Sequence, residues 1–159
     1  MKYKGQSVAN TNIEYVVIPR GEDKIVFIAK PVTSMDGFYE IATEPKPPLI
    51  EYPPSTGKPP ENDYNDEKYL QRVRDFNTSR YYWMLLTSLK DSPDIEWETI
   101  DMTKPDTYKN FETELVSAQF LPAEINAIRS AVSKVNALDE QQLEAARKSF
   151  LASLQAQQV

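Results

Sequence analysis

Two rhythms of apolar residues run along the chain, and the change from one to the other falls near residue 63. Before it, Ile13, Tyr15, Val16, Val17 and Ile18 form one β-branched and aromatic run, and Ile25, Val26, Phe27 and Ile28 form another. Pro19-Arg20-Gly21-Glu22-Asp23 between them has turn composition, so the pair predicts a β-hairpin. Its first strand should stop at Pro19, which has no N–H to give to a ladder. A lone hairpin is marginal in water and needs further strands, a helix or another subunit to lean on.

After residue 63 the spacing becomes helical. Tyr69, Val73, Phe76, Tyr81, Met84 and Leu85 predict a long helix from about Asp66 to Lys90, with Asp63 or Asn65 as its cap. Arg72, Asp75 and Arg80 take its wetter sides. The run Tyr81-Tyr82-Trp83-Met84-Leu85-Leu86 is apolar on every face, so it must be buried in a core or against another chain. Ser92-Pro93-Asp94 ends the helix, and Ile95 to Ile100 alternates like a short extended piece. Three shorter amphipathic helices follow. Pro105 opens one with Tyr108, Phe111, Leu115 and Ala118. Pro122 opens the next, with Ile125, Ile128, Val132 and Val135. Asp139 and Gln142 form a capping-box-like pair before Leu143, Ala146, Phe150, Leu151 and Leu154.

Between the two regimes lies a proline-rich stretch: seven of the twelve prolines fall between Pro45 and Pro60. Each fixes φ, removes a donor and holds the preceding residue extended, which predicts a stiff arm lacking internal hydrogen bonds. An SH3-type ligand is the functional alternative to a plain linker, without a second motif to support it. The fold class is α+β and mainly α. It comprises an N-terminal β-hairpin region over 1–43, a proline-rich extended connector over 44–62, and a helical domain over 63–159 with about four helices.

Composition removes much chemistry from this frame. The chain has 159 residues, no histidine and no cysteine. Neither a Ser-His-Asp nor a Cys-His nucleophile is therefore possible, nor a thiolate or imidazole metal site, nor a disulfide. The formal net charge is −6, and all of it comes from residues 61–159, since residues 1–60 carry seven basic and seven acidic side chains. Such a balance argues against a nucleic-acid partner, and Arg72 with Arg74 is too sparse a basic cluster to reverse it. No run is long and apolar enough for a membrane span, and the first residues lack the apolar segment of a secretory signal. The expected location is cytoplasmic.

The surviving candidates for chemistry have simpler readings. Glu96 with Glu98 and Glu112 with Glu114 are carboxylate pairs, but acid–base work needs two such groups in different environments across a substrate. Asn62-Asp63-Tyr64-Asn65-Asp66-Glu67 is oxygen-rich without the glycine and spaced final Glu of a calcium loop. Four isolated glycines make no phosphate loop. The expectation is a non-enzymatic protein with no cofactor and no metal. Aromatics remain, clustered from Tyr64 to Trp97, and Tyr and Trp are favoured interface anchors as well as core residues. The best surface for a partner combines Tyr81, Tyr82, Trp83, Leu86 and Leu89 with Trp97 and the stripe at Phe150, Leu151 and Leu154.

The order of features resembles that of the tail assembly chaperones of long-tailed bacteriophages. The resemblance covers roughly residues 12–152. It rests on the hairpin, Lys30-Pro31-Val32, Phe38-Tyr39-Glu40, Glu44-Pro45-Lys46-Pro47-Pro48 and Gly57-Lys58. The aromatic-rich helix, Ile95-Glu96-Trp97-Glu98-Thr99, Pro105-Asp106-Thr107-Tyr108 and Glu124-Ile125 continue it. It closes with Asn136-Ala137-Leu138-Asp139-Glu140 and Ala145-Ala146-Arg147-Lys148-Ser149-Phe150-Leu151. The resemblance implies a protein that binds the helical tape measure protein, keeps it soluble, and yields to tail tube subunits. It also implies absence from the finished virion. It supplies no residue-level binding map, and self-association is left open. Rival readings are a structural or adaptor protein of an assembly, using the hairpin to augment a neighbour's sheet, and an acidic inhibitor of a host protein.

Overall fold

The β-branched runs pair as expected, in a computed structural model that describes residues 2–7, 12–137, 144 and 147–148. A short β1 (Lys2–Tyr3) and β2 (Gln6–Ser7) pair around Lys4-Gly5, both at positive φ. The main hairpin joins β3 (Glu14–Arg20) to β4 (Asp23–Ala29), antiparallel, with Ile18 opposite Ile25 and Val16 opposite Phe27. The strand does not stop at Pro19. Gly21, at φ +63°, and Glu22 make a two-residue turn, so Arg20 and Asp23 form the hydrogen-bonded pair next to it. Pro19 and Lys24 then occupy a position whose backbone groups face outward, where a missing N–H costs the ladder nothing. In keeping with that parity, the Lys24 N–H donates to the Asp23 carboxylate at 2.7 Å.

The chain divides into two compact units, each assembled from separate stretches. The first takes the described residues of Met1–Val32, Ser88–Ile95 and Leu121–Val159. Here α4 (Pro122–Asn136) packs on the hairpin, more on β3 than on β4. Its expected stripe, Ile125, Ile128, Val132 and Val135, is buried along with Ile18, Phe27 and Ala29. Pro122 occupies the first helical position, where its missing N–H would have had no partner. Glu124 folds back so that its Oε2 accepts the Leu121 N–H at 2.9 Å. The same carboxylate receives both guanidinium nitrogens of Arg20, at 2.9 and 2.8 Å, tying the hairpin's turn end to the start of α4. These donors hold the Glu124 carboxyl down at about 2, with the Arg20 hydrogen bond the largest cause and the Leu121 N–H next.

The other end of this unit is closed by a polar knot. Asn136 accepts the Val32 N–H at 2.7 Å and donates to Ser88 Oγ at 3.2 Å and to the Val132 carbonyl at 2.9 Å. Ser88, buried, donates its hydroxyl to the Lys30 carbonyl at 2.6 Å and accepts the Lys30 N–H on its own carbonyl at 3.0 Å. A buried serine is tolerated because its polar atoms are matched.

The second unit comprises Thr33–Thr87 and Glu96–Phe120. A one-turn α1 (Asp36–Tyr39) carries buried Phe38, and the proline stretch follows. That stretch is mostly irregular and extended, as its prolines demand, but it doubles back: β5 (Leu49–Ile50) pairs with β6 (Glu61–Asn62). The long α2 (Glu67–Ser88) agrees with expectation within two residues at each end, although its cap differs. Asp66 accepts the Tyr69 N–H at 2.7 Å, while Asp63 serves the Asn65 N–H just upstream. A one-turn 3₁₀ segment at Pro105–Thr107 precedes α3 (Asn110–Ser117), on which Phe111 and Leu115 are buried; Ala118, just past its end, is exposed. Tyr108, also buried, leads into it. The segment Ile95–Ile100 alternates in exposure as far as Glu98 but pairs with no strand. The architecture is α+β and mainly α, built from two-stranded antiparallel sheets and helices. Of the helix expected after Asp139, Glu144, Arg147 and Lys148 are described and helical, with Lys148 3.9 Å from Glu144; its capping pair lies outside the described residues. Among those residues, no helix is long and apolar enough to cross a membrane.

Candidate protein-binding groove

Within the second unit, α2 presents a row of residues at helical spacing, Arg72, Asp75, Phe76 and Ser79, to an open groove of about 620 Å³. One wall is the chain leaving α1. The Ile41 and Ala42 N–H groups both bond back to the Phe38 carbonyl, and Pro45 and Pro47 then hold Glu44 and Lys46 extended alongside. Pro105 and Asp106 also line it. Asp101 fixes their position by accepting the Thr103 N–H and hydroxyl at 2.9 and 2.7 Å and pairing with Lys104 at 3.1 Å. The Thr103 donors, then Lys104, hold the Asp101 carboxyl at about 2. The Tyr108 hydroxyl donates to the Met102 carbonyl at 2.6 Å, closing the loop.

Phe76 forms the apolar floor, braced from behind by Phe38 and Tyr39 at ring separations of 5.2 and 6.3 Å. Glu44, Asp75 and Asp106 against Lys46 and Arg72 make a rim of both signs. A smaller hollow of about 170 Å³ adjoins it, sharing Asp75, Ser79, Pro105 and Asp106 and adding Thr78, Tyr82 and Lys109. The arrangement offers shape, one aromatic floor and paired charges. Among the described residues no cluster of carboxylates suits a metal. The Glu112 and Glu114 pair serves the fold: Glu114 accepts the Glu98 and Thr99 N–H groups at 3.0 and 2.6 Å, and Glu112 accepts the Tyr82 hydroxyl at 2.7 Å. Burial pushes the Glu114 carboxyl upward, but the donors from Thr99, Glu98 and Ile100 outweigh it and leave it below its ordinary range.

The residues expected to bind a partner are dispersed by the structure. Tyr82 borders the smaller hollow, and Tyr81 stands beside it, 39% exposed and 5.3 Å from the Tyr82 ring. Trp97 is half-buried on Phe111, ring to ring at 5.3 Å. Trp83, Leu86 and Leu89 are buried and leave little surface for a partner, which corrects their assignment to a partner-facing groove. Trp83, only 8% exposed, lies 6.1 Å from the Phe38 ring and directly against Gly37. A segment apolar on all sides had two resolutions, core or partner, and for these three the core took them. Phe150, Leu151 and Leu154 lie outside the described residues. Phe76, Arg72, Asp75 and Ser79 were missed as a site because the sequence reads the first as stripe and the charged pair as solvated sides. No local signal places them against Pro45 and Pro105.

Comparison with protein-family models, with curated proteins and with solved structures found no match.

Proposed function

We propose that this chain is a non-enzymatic holding protein that receives a helical segment of a client in the groove over Phe76. The supporting observation is the groove itself, where an aromatic floor is rimmed by charges of both signs. Amphipathic helices dock by laying apolar residues into such floors while their flanking charges meet the rim. The net charge of −6 helps keep a complex with an apolar client in solution. With the resemblance in the order of sequence features, the reading becomes a phage tail assembly chaperone. Its client would be the tape measure protein, released as tail tube subunits arrive.

The test is co-expression with the long helical product of a neighbouring reading frame. The client is expected in the soluble fraction with this chain and in the pellet without it; equal insolubility in both would end the proposal. Recovery of this chain in stoichiometric amounts from purified particles would instead identify a retained structural protein.

A further inference from the structure

The main hairpin has one edge tied down at both ends and one open edge. Along β4 the outward Lys24 N–H donates to Asp23 at 2.7 Å, Ile28 to Ser92 Oγ at 2.9 Å, and Lys30, just past the strand, to the Ser88 carbonyl at 3.0 Å, which leaves only Val26 between them without an acceptor among the described residues. Because Ile28 lies opposite Tyr15 and Val26 opposite Val17, the same parity turns the backbone groups of Tyr15 and Val17 outward on β3. Among the described residues nothing bonds to them. Their side chains are also uncovered, at 62% and 55% exposure, beside exposed Ile13. Natural edge strands carry charges, bulges or proline to prevent pairing; β3 has Pro19, Glu14 and Arg20 towards its two ends, and none at Tyr15, Val16 or Val17.

We propose that the β3 edge is a strand-addition site for a second copy of this chain. Self-complementarity selects that occupant. Antiparallel pairing about a two-fold axis at Val16 places each Tyr15 opposite Val17 of the second copy. Both residues in each copy then donate and accept, and no outward group of either is left over. Pro19, which cannot donate, falls opposite Ile13 beyond this ring. On the outer face each Tyr15 ring meets a Val17, an aromatic–β-branched cross-strand pair of the favourable kind. On the inner face the two hairpin centres stand two strand spacings apart, roughly 9.6 Å. The result is a four-stranded sheet, closer to what an isolated sheet needs for stability than two strands are. The interface is isologous and closes after two copies.

Val17→Pro tests this cleanly, since it places a proline at an outward position of the parity that already accepts Pro19. The full chain is expected to sediment as a dimer at micromolar concentration. The variant should keep the wild-type circular dichroism while its dimer dissociation constant rises roughly thirtyfold, because two hydrogen bonds, one per copy, are lost. Tyr15→Lys, which leaves the backbone untouched, should weaken the dimer too, and it decides the matter if Val17→Pro misfolds. Amide exchange at Tyr15 and Val17 should slow as protein concentration rises. Three results would each overturn the proposal: a wild-type monomer at millimolar concentration, a dimer indifferent to both substitutions, or amide protection independent of concentration. The last would mean that the chain's own residues cover the edge.

Discussion

Replacing Trp83 with alanine separates core from contact surface more sharply than any other single change. The indole packs on Phe38, with Gly37 close enough that a Cβ there would lie 3.0 Å from the Trp83 ring. Truncating a buried tryptophan costs about 3–5 kcal/mol, from lost transfer energy and the cavity left behind. For a chain of this length each kcal/mol moves the midpoint by about 2–4 °C, so Trp83→Ala should lower Tm by roughly 10 °C. A domain holding about 5–15 kcal/mol in total loses a large share but can still fold in the cold. Tyr81→Ala, two residues away but 39% exposed, gives up only an exposed edge-to-face contact with Tyr82 and should cost under about 1 kcal/mol. Urea unfolding of both variants, followed by circular dichroism, measures the difference. A Trp83→Ala protein as stable as wild type but unable to hold client would refute the core assignment and restore Trp83 as a surface anchor.

Other substitutions probe the ties within the first unit. Asn136→Ala removes three hydrogen bonds and leaves the Val32 N–H without its acceptor, so urea unfolding should show a loss of about 2 kcal/mol. A change below about 0.5 kcal/mol would mean that water replaces the knot freely. The Glu124 carboxyl is depressed from 4.5 to about 2 in the folded chain, so its contribution is present above its ordinary value and disappears as pH falls from 4.5 toward 2. Glu124→Gln should therefore flatten the acid limb of the stability profile, and an unchanged limb would show that the Arg20 contact carries no linkage. Tyr108→Phe deletes only the hydroxyl that donates to the Met102 carbonyl and should cost about 1 kcal/mol in thermal unfolding, with the groove wall at Pro105 loosened.

Periodicity carried the regular elements well, because apolar spacing reports burial directly. The stripe Ile125, Ile128, Val132 and Val135 on α4 and the first-turn Pro122 emerge where the pattern places them. What it missed depended on partners distant in sequence or on backbone parity. Pro19 was read as a stop, yet its outward position makes its missing N–H harmless. The proline stretch was read as free of internal bonds, yet Leu49 and Ile50 find Asn62 and Glu61 across it. The cap of α2 moved to Asp66 because the choice among neighbouring Asp and Asn residues depends on which side chain reaches the Tyr69 N–H. The groove was least legible, since Pro45, Phe76 and Pro105 lie far apart in sequence and only the fold of the second unit brings them together.

Blocking the groove tests the central claim most directly. Ser79 lines both hollows, so Ser79→Trp fills the space over α2 without entering the buried core. The measurement is the soluble fraction of the helical client co-expressed with this variant or with wild type, alongside circular dichroism of the purified variant. The expected result is a variant folded like wild type whose client returns to the pellet. A folded Ser79→Trp protein that keeps the client as soluble as wild type does would contradict binding in this groove.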